Sequence, residues 1–211
     1  AVLCEEFTDV HLDEFDEFDE SRIEKLDFAA AQATGLLTWL TPAVHEAYIA
    51  LNRAQSLHPE ARQAHLVFTP LHGTAMTTVG TVLQQAGFQV DLVAAQAMPD
   101  GAFPAVPYRA PNPEVPESMQ QGMELAREVG ADAVFACDPD ADRLGACSRT
   151  ADGTFRFLTG NEIAVLTTHY KLEQLKQLGR LPERPLVIKT EVTTELLRPI
   201  TQAFDGVLIG A

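Results

Sequence analysis

Residues 133–145 read AVFACDPDADRLG. Five consecutive apolar residues are the pattern of a strand covered on both faces, where alternation with polar residues is lost. Three aspartates, Asp138, Asp140 and Asp142, follow at once, separated by Pro139 and Ala141 and closed by Arg143. In α/β proteins ligands gather at the carboxyl ends of the strands, because the loops leave the sheet there. The acidic run therefore stands where a site is expected.

Upstream, HLVFT at 65–69 is a short apolar strand stopped by Pro70, and the loop PLHG (70–73) leads into a helix expected over 74–86. Val79, Val82, Leu83 and Ala86 share one face of that helix, and Gly87 closes it. A second strand at 88–93 completes a βαβ unit. Before this unit, Thr41 and Pro42 form an N-cap and first-position pair, with Val44, Ala47, Tyr48, Leu51 and Ala54 at helical spacing to about residue 57. Residues 97–116 hold six prolines, which remove backbone donors and bias the residues before them away from helix, so this stretch reads as an ordered or mobile excursion. Loops of that length are uncommon unless they carry function. A helix over 117–129, ended by Gly130, then leads to the strand at 133–137.

Downstream, 144–149 and 154–158 form a hairpin around Asp152 and Gly153. Thr159 and Glu162 are spaced as a capping box for a long helix. A strand at 186–190, a helix at 194–204 and a strand at 207–209 follow. The fold class is α/β with doubly covered sheets. The roughly fifty residues after 158 are thin for an independent α/β domain by surface-to-volume scaling, so an incomplete second layer is expected, and the absence of Met at position 1 suggests a piece of a longer chain.

The spacing of the aspartates dictates their chemistry. In an extended chain, carboxylates two residues apart are separated by ~6.6 Å, so sharing one ion requires the loop to curl. Carboxylates without His or thiolate partners favour Mg²⁺, Mn²⁺ or Ca²⁺ over zinc. A calcium hand is excluded, since it needs Gly where Arg143 stands and Glu where Arg149 stands. Mg²⁺ completes its octahedron with water or phosphate oxygens, and Arg143 offsets the surplus negative charge. Phosphoryl transfer is the reaction class that follows.

Composition narrows the partners. The chain has 211 residues and a net charge of −15, and nine of its acids lie in the first twenty residues, which contain no Lys or Arg. Such a surface repels nucleic-acid backbones. Phe7, Leu12, Phe15 and Phe18 punctuate the acidic run, whose simplest reading is a solvated connecting stretch. No uncharged apolar run approaches the ~18 to 20 residues of a membrane helix, and the default address is cytoplasmic. Cys4, Cys137 and Cys147 form no CxxC pair, and buried reduced thiols are expected.

Four motifs in one order, TPLHG (69–73), PNPE (111–114), CDPDADRLG (137–145) and TGNE (159–162), resemble the α-D-phosphohexomutase family, in its phosphoglucomutase and phosphopentomutase-like branch. The resemblance covers nearly all of residues 40–211. It implies a three-layer α/β/α mixed sheet over 40–158, the metal-binding second domain of four, followed by an incomplete third domain over 159–211, with 1–39 as a connector from the first. It implies that Asp138, Asp140 and Asp142 hold Mg²⁺, that Arg143 contacts phosphate, and that His72 and Lys189 face the reacting centre. Asn112, Pro113 and Glu114 read as loop structure. The implied reaction moves a phosphoryl group between the 1- and 6-positions of a hexose phosphate, or the 1- and 5-positions of a pentose phosphate, through a phosphoserine and a bisphosphate. Glucose phosphate is the favoured substrate.

The family's serine loop and its phosphate-binding fourth domain have no counterpart in this sequence, so the chain alone is expected to be inactive and to depend on other domains of the same polypeptide. Two alternatives remain at this level: a haloacid-dehalogenase-like phosphatase, whose pattern also begins DxD after a strand, and a non-catalytic module that binds divalent cations.

Overall fold

The structure is a computed structural model that describes residues 26–211; Cys4 and the acidic run with its four large apolar residues lie outside the described residues. The described residues divide into two compact units, the first ending at residue 44 and the second running over 45–211. In the first, helix α1 (Phe28–Ala33) is capped by the Asp27 carboxylate, which accepts from the Ala30 N–H at 3.0 Å. The rings of Phe28 and Trp39 lie 5.6 Å apart, and no residue of α1 is buried.

The second unit begins in α2 (Pro42–Arg53) and is organised by a five-stranded sheet. Its strands are β1 (His65–Thr69), β2 (Gln89–Leu92), β3 (Ala133–Cys137), β4 (Leu144–Arg149) and β5 (Phe155–Leu158), in the order β2-β1-β3-β4-β5. β1 pairs in parallel with both β2 and β3, while β4 and β5 add antiparallel as the hairpin expected around Asp152. The sheet is mixed.

Chain order makes the sheet double-sided. The β1-to-β2 crossover moves one way along the sheet and the β2-to-β3 crossover moves back past β1. Since such crossovers are right-handed, their helices fall on opposite faces. The core records this in the alternation along β1. Val67 joins Val134, Met119 and Ala126 on the face covered by α4 (Gln120–Val129), whereas Phe68 meets Met76, Val79 and Leu83 on the face covered by α3 (Thr81–Gln85). Two apolar clusters with a sheet between them are the three layers read from the sequence.

Gly122 lets α4 approach the sheet closely. A Cβ there would lie 2.6 Å from Cγ1 of Val134. The helix ends at Gly130 with φ 71°, the left-handed cap expected of that residue.

Four helices differ from the sequence reading: α2 stops at Arg53 short of residue 57, the helix expected over 117–129 opens as a 3-10 turn, Pro116–Met119, before α4, and two others depart further. The helix expected over 74–86 opens as a π turn, Met76–Gly80, before α3. The Gly80 N–H donates to the Ala75 carbonyl at 3.0 Å and the Thr81 hydroxyl to the Met76 carbonyl at 3.3 Å, which widens the turn over Phe68. Periodicity alone does not register one inserted residue, and such turns concentrate near functional sites. The helix expected over 194–204 is only α6 (Leu197–Gln202). Thr194 is drawn into a turn, its N–H donating to Asn161 and its hydroxyl accepting from the Leu196 N–H.

Beyond the sheet, α5 (Gly160–Gln177) carries the complete capping box of Thr159 and Glu162. β6 (Leu186–Lys189) and β7 (Val207–Gly210) form a separate two-stranded parallel sheet flanked by α6. Among the described residues no helix is long and apolar enough to cross a membrane.

Two substitutions test these packing assignments. Gly122→Val forces α4 off the sheet and should cost about 1–3 kcal/mol, read as a lower urea midpoint at unchanged slope. The β4–β5 turn supplies a pH test. Asp152 accepts from the hydroxyls of Thr150 and Thr154 and from the Thr154 N–H, and these bonds hold its carboxyl down at about 2, against an ordinary 3.8. A depressed carboxylate stabilises the fold above its unfolded value and loses that contribution as pH falls through the folded one. The difference in melting temperature between the parent and Asp152→Asn should therefore be full above about pH 4 and vanish towards pH 2.

Candidate metal centre

The reversal of strand order falls between β1 and β3, and their carboxyl ends are the position at which open α/β sheets bind ligands. Two loops meet there because β1 and β3 run in parallel. One is 70–73 after β1, in which Leu71 and His72 are consecutively left-handed at φ 47° and 64°. The other is 138–143 after β3, which curls through Ala141 at φ 64°, with the Ala141 N–H donating to the Asp138 carbonyl at 3.0 Å.

The loops touch backbone to backbone. A Cβ on Gly73 would sit 2.2 Å from Cα of Pro139, so only glycine fits. Next to it, the Thr74 N–H and hydroxyl both donate to the Pro139 carbonyl, at 2.9 and 3.1 Å. The same device recurs on the other side of the loop, where a Cβ on Gly145 would lie 2.3 Å from the Pro113 carbonyl oxygen. A carboxylate oxygen of Glu114 in turn lies 3.5 Å from where a Gly160 Cβ would be. The four motifs thus form one chain of contacts. Asn112 accepts from the Glu114 N–H at 3.0 Å, a turn-forming bond that fits its structural reading.

The curl brings one carboxylate oxygen of each of Asp138, Asp140 and Asp142 within 4.8 Å of the others. Asp138 is buried and the other two are exposed. Arg143 closes the loop on Asp138, its N–H donating to Oδ1 at 3.0 Å and its Nε to Oδ2 at 2.8 Å, with Asp142 at 3.7 Å. Burial disfavours ionisation of Asp138, but the bonds from Arg143 outweigh it and hold the carboxyl below its ordinary value. The Asp142 carboxyl is raised, first by the charge of Asp140, then by burial and by Asp138. Three carboxylates against one guanidinium leave the loop with surplus negative charge, which a divalent cation would relieve.

The donor set suits a hard cation. In an octahedron, oxygens on opposite sides of one Mg²⁺ lie ~4.2 Å apart and adjacent ones ~3.0 Å, so oxygens within 4.8 Å of one another must draw in by up to ~2 Å to share one ion. Cys137, beside Asp138, adds no ligand: burial and then the Asp138 charge push its thiol up to about 11. Burial raises Cys147 likewise to about 11, and both thiols are free, as expected of structural cysteines.

The remaining candidates lie outside the triad. Lys189 is buried at the end of β6, where its ammonium donates to the carbonyls of Thr190 and Thr193 and pairs with Glu195 at 2.8 Å. His72 is buried beside the metal loop, with Nδ1 against the Met98 carbonyl and Nε2 against the Ala105 N–H. Two supporting residues escaped the sequence reading. Glu195 also binds Arg198, and the fully buried Gln96 bonds Thr69 and the Ala105 carbonyl. Arg198 stands three residues after Glu195, a local pair, whereas Lys189, Thr69 and the Ala105 carbonyl come from other strands or turns with no local signal.

A three-layer α/β/α sheet with a DxDxDR loop at its switch point is the arrangement that the sequence resemblance implies for residues 40–158, and comparison with known proteins agrees. The profile described as phosphoglucomutase/phosphomannomutase, alpha/beta/alpha domain II, matches residues 46–153. The chain belongs to that family. Phosphoglucomutase of Staphylococcus aureus strain USA300 is 38% identical over 146 residues, 69% of this chain and 26% of that protein. The phosphoglucomutase of strain MRSA252 is 37% identical over the same length. The chain spans about a quarter of the length of these relatives. Among solved structures, a phosphoglucomutase/phosphomannomutase family protein from Burkholderia thailandensis has a TM-score of 0.59 at 20% identity, over 79% of this chain and 32% of that one. A protein described as a phosphomannomutase from Thermus thermophilus has the same TM-score at 21% identity, over 80% and 36%. Both show the fold.

Gly73→Ala drives a methyl group into the Pro139 backbone. It should cost about 1–3 kcal/mol in chemical denaturation and weaken divalent-cation binding in calorimetry, although Gly73 offers no ligand.

Proposed function

We propose that this chain is the metal-binding portion of a phosphosugar mutase, an isomerase of carbohydrate metabolism. In this reading residues 40–158 form the second domain, 159–211 begin a third, and 1–39 connect from a preceding domain. The observation that carries the reading is the convergence of three carboxylate oxygens within 4.8 Å on the switch-point loop of a family member.

Asp138, Asp140 and Asp142 would hold Mg²⁺. The ion supplies positive charge to the oxygens of a phosphoryl group in transfer. Arg143 is held by Asp138 through Nε, and among the described residues no hydrogen bond engages its two terminal nitrogens, which suits them to a phosphate oxygen. The Asp138 carboxylate both carries charge and fixes the guanidinium. Lys189 is read as a substrate-side cation whose pairing with Glu195 holds it in place. The donor phosphoserine, the loops that read the sugar hydroxyls and the second phosphate site belong, in this reading, to other parts of the polypeptide. The substrate is a hexose or pentose phosphate, with glucose phosphate favoured by the names of the curated relatives.

The phosphatase alternative fares worse. The pattern of such phosphatases wants Thr or Val where Asp142 stands.

Asp140 is exposed, so Asp140→Asn should leave thermal stability unchanged without metal while lowering Mg²⁺ or Mn²⁺ affinity by at least about ten-fold, the loss that even outer partners of a ligand produce. In the intact polypeptide the same change should abolish conversion of glucose 1-phosphate in the presence of catalytic bisphosphate. Unchanged cation affinity, or full turnover in that variant, removes the assignment; hydrolysis of phosphate esters by this chain alone would favour the phosphatase.

A further inference from the structure

His72 spends every hydrogen-bonding group it has on one segment. Its N–H donates to the Gln96 carbonyl at 2.9 Å and its carbonyl accepts from the Asp100 N–H at 3.1 Å. Its Nδ1 lies 2.9 Å from the Met98 carbonyl, and its Nε2 lies 3.3 Å from the Ala105 N–H. All four partners belong to 96–105, the start of the proline-rich excursion. A carbonyl can only accept and a backbone N–H can only donate, so these partners fix the protonation of the ring: hydrogen on Nδ1, lone pair on Nε2. Neither nitrogen is left for a substrate or for proton transfer.

The backbone of His72 is equally committed. Its φ of 64° turns the loop so that the ring faces the excursion while Gly73 and Thr74 turn the other way, onto Pro139 of the metal loop. Gln96 reinforces the arrangement, accepting from the Thr69 hydroxyl at 2.7 Å and donating to the Ala105 carbonyl at 2.9 Å.

We infer that His72 is a positioning residue: as the neutral Nδ1–H tautomer it staples residues 96–105 to the 70–73 loop and thereby braces the aspartate loop behind it. The staple stands on geometry alone, whereas its effect on metal affinity rests on the reading of the triad given above.

The test uses the whole chain with ¹⁵N-labelled histidine. A two-bond proton–nitrogen spectrum, in which the His72 signals are those missing from His72→Asn, should show Nδ1 protonated and Nε2 unprotonated at neutral pH. Amide exchange gives the second readout. His72→Ala should speed exchange at both Asp100 and Ala105 by roughly ten-fold, the weight of one or two net hydrogen bonds. Asn tolerates the left-handed backbone and supplies a donor near Nδ1, so His72→Asn should restore protection at Asp100 but not at Ala105. Mn²⁺ affinity should fall several-fold in the Ala variant and recover in the Asn variant. An Nε2–H tautomer, or unchanged exchange at both amides in His72→Ala, overturns the proposal; should the Ala variant not fold, the parent spectrum and the Asn variant decide. Absence of Mn²⁺ binding in the parent would instead count against the triad, and the tautomer would still establish the staple.

Discussion

The parallel pairing of β1 with β3 is the constraint on which the rest of the structure depends. Leu66 to Thr69 pair in register with Ala133 to Ala136, so the two strands finish at the same level and their loops leave side by side. The chain reaches β3 only after passing β2 on the far side of β1, and this reversal puts α3 and α4 on opposite faces and makes the ends of β1 and β3 the switch point of the sheet. Had β3 paired with β2, the PLHG and DPDADR loops would be separated by a strand and Gly73 would have nothing to fit against. The aspartate loop gains its shape from that neighbour as much as from its own sequence.

Much of this was legible in the sequence because the informative signals are local. The run AVFAC reads as a doubly covered strand without knowledge of its neighbours, and the Thr159 capping box is complete as written. The convergence of Asp138, Asp140 and Asp142 followed from type and spacing, since carboxylates at alternate positions after a buried strand have little use unless they curl together. What was not legible is long-range. The catalytic reading of His72 rested on its motif, whereas its partners lie in 96–105 and come to it only through the fold. Lys189 was placed near the reacting centre by its motif match, and the turn after β6 that sets its ammonium against Thr190, Thr193 and Glu195 carries no periodic signal of its own. The π turn at Met76–Gly80 is invisible to periodicity because one added residue shifts the apolar face by less than the width of the stripe.

Electrostatics divides the molecule in a useful way. The metal loop combines one buried, arginine-bound carboxylate with two that face solvent, so Asp138 sets the frame and Asp140 and Asp142 remain free to adjust. In the proposed reading, one rigid and two adaptable ligands would let a reluctantly dehydrating Mg²⁺ enter partly hydrated. The rigid member is also the one that orients Arg143, so the charge that would hold a cation and the charge that would meet a phosphate are fixed by the same side chain.

The glycine contacts at the ends of the sheet carry an evolutionary consequence. Gly73 against Pro139 and Gly145 against Pro113 are matched surfaces of main chain, with no flexible side chain to absorb a change. Substitutions on either side of such a seam are not independent, because the cost of one depends on the residue already standing opposite. Sequence drift in these four segments is therefore expected to be epistatic, with changes tolerated in pairs that neither member survives alone.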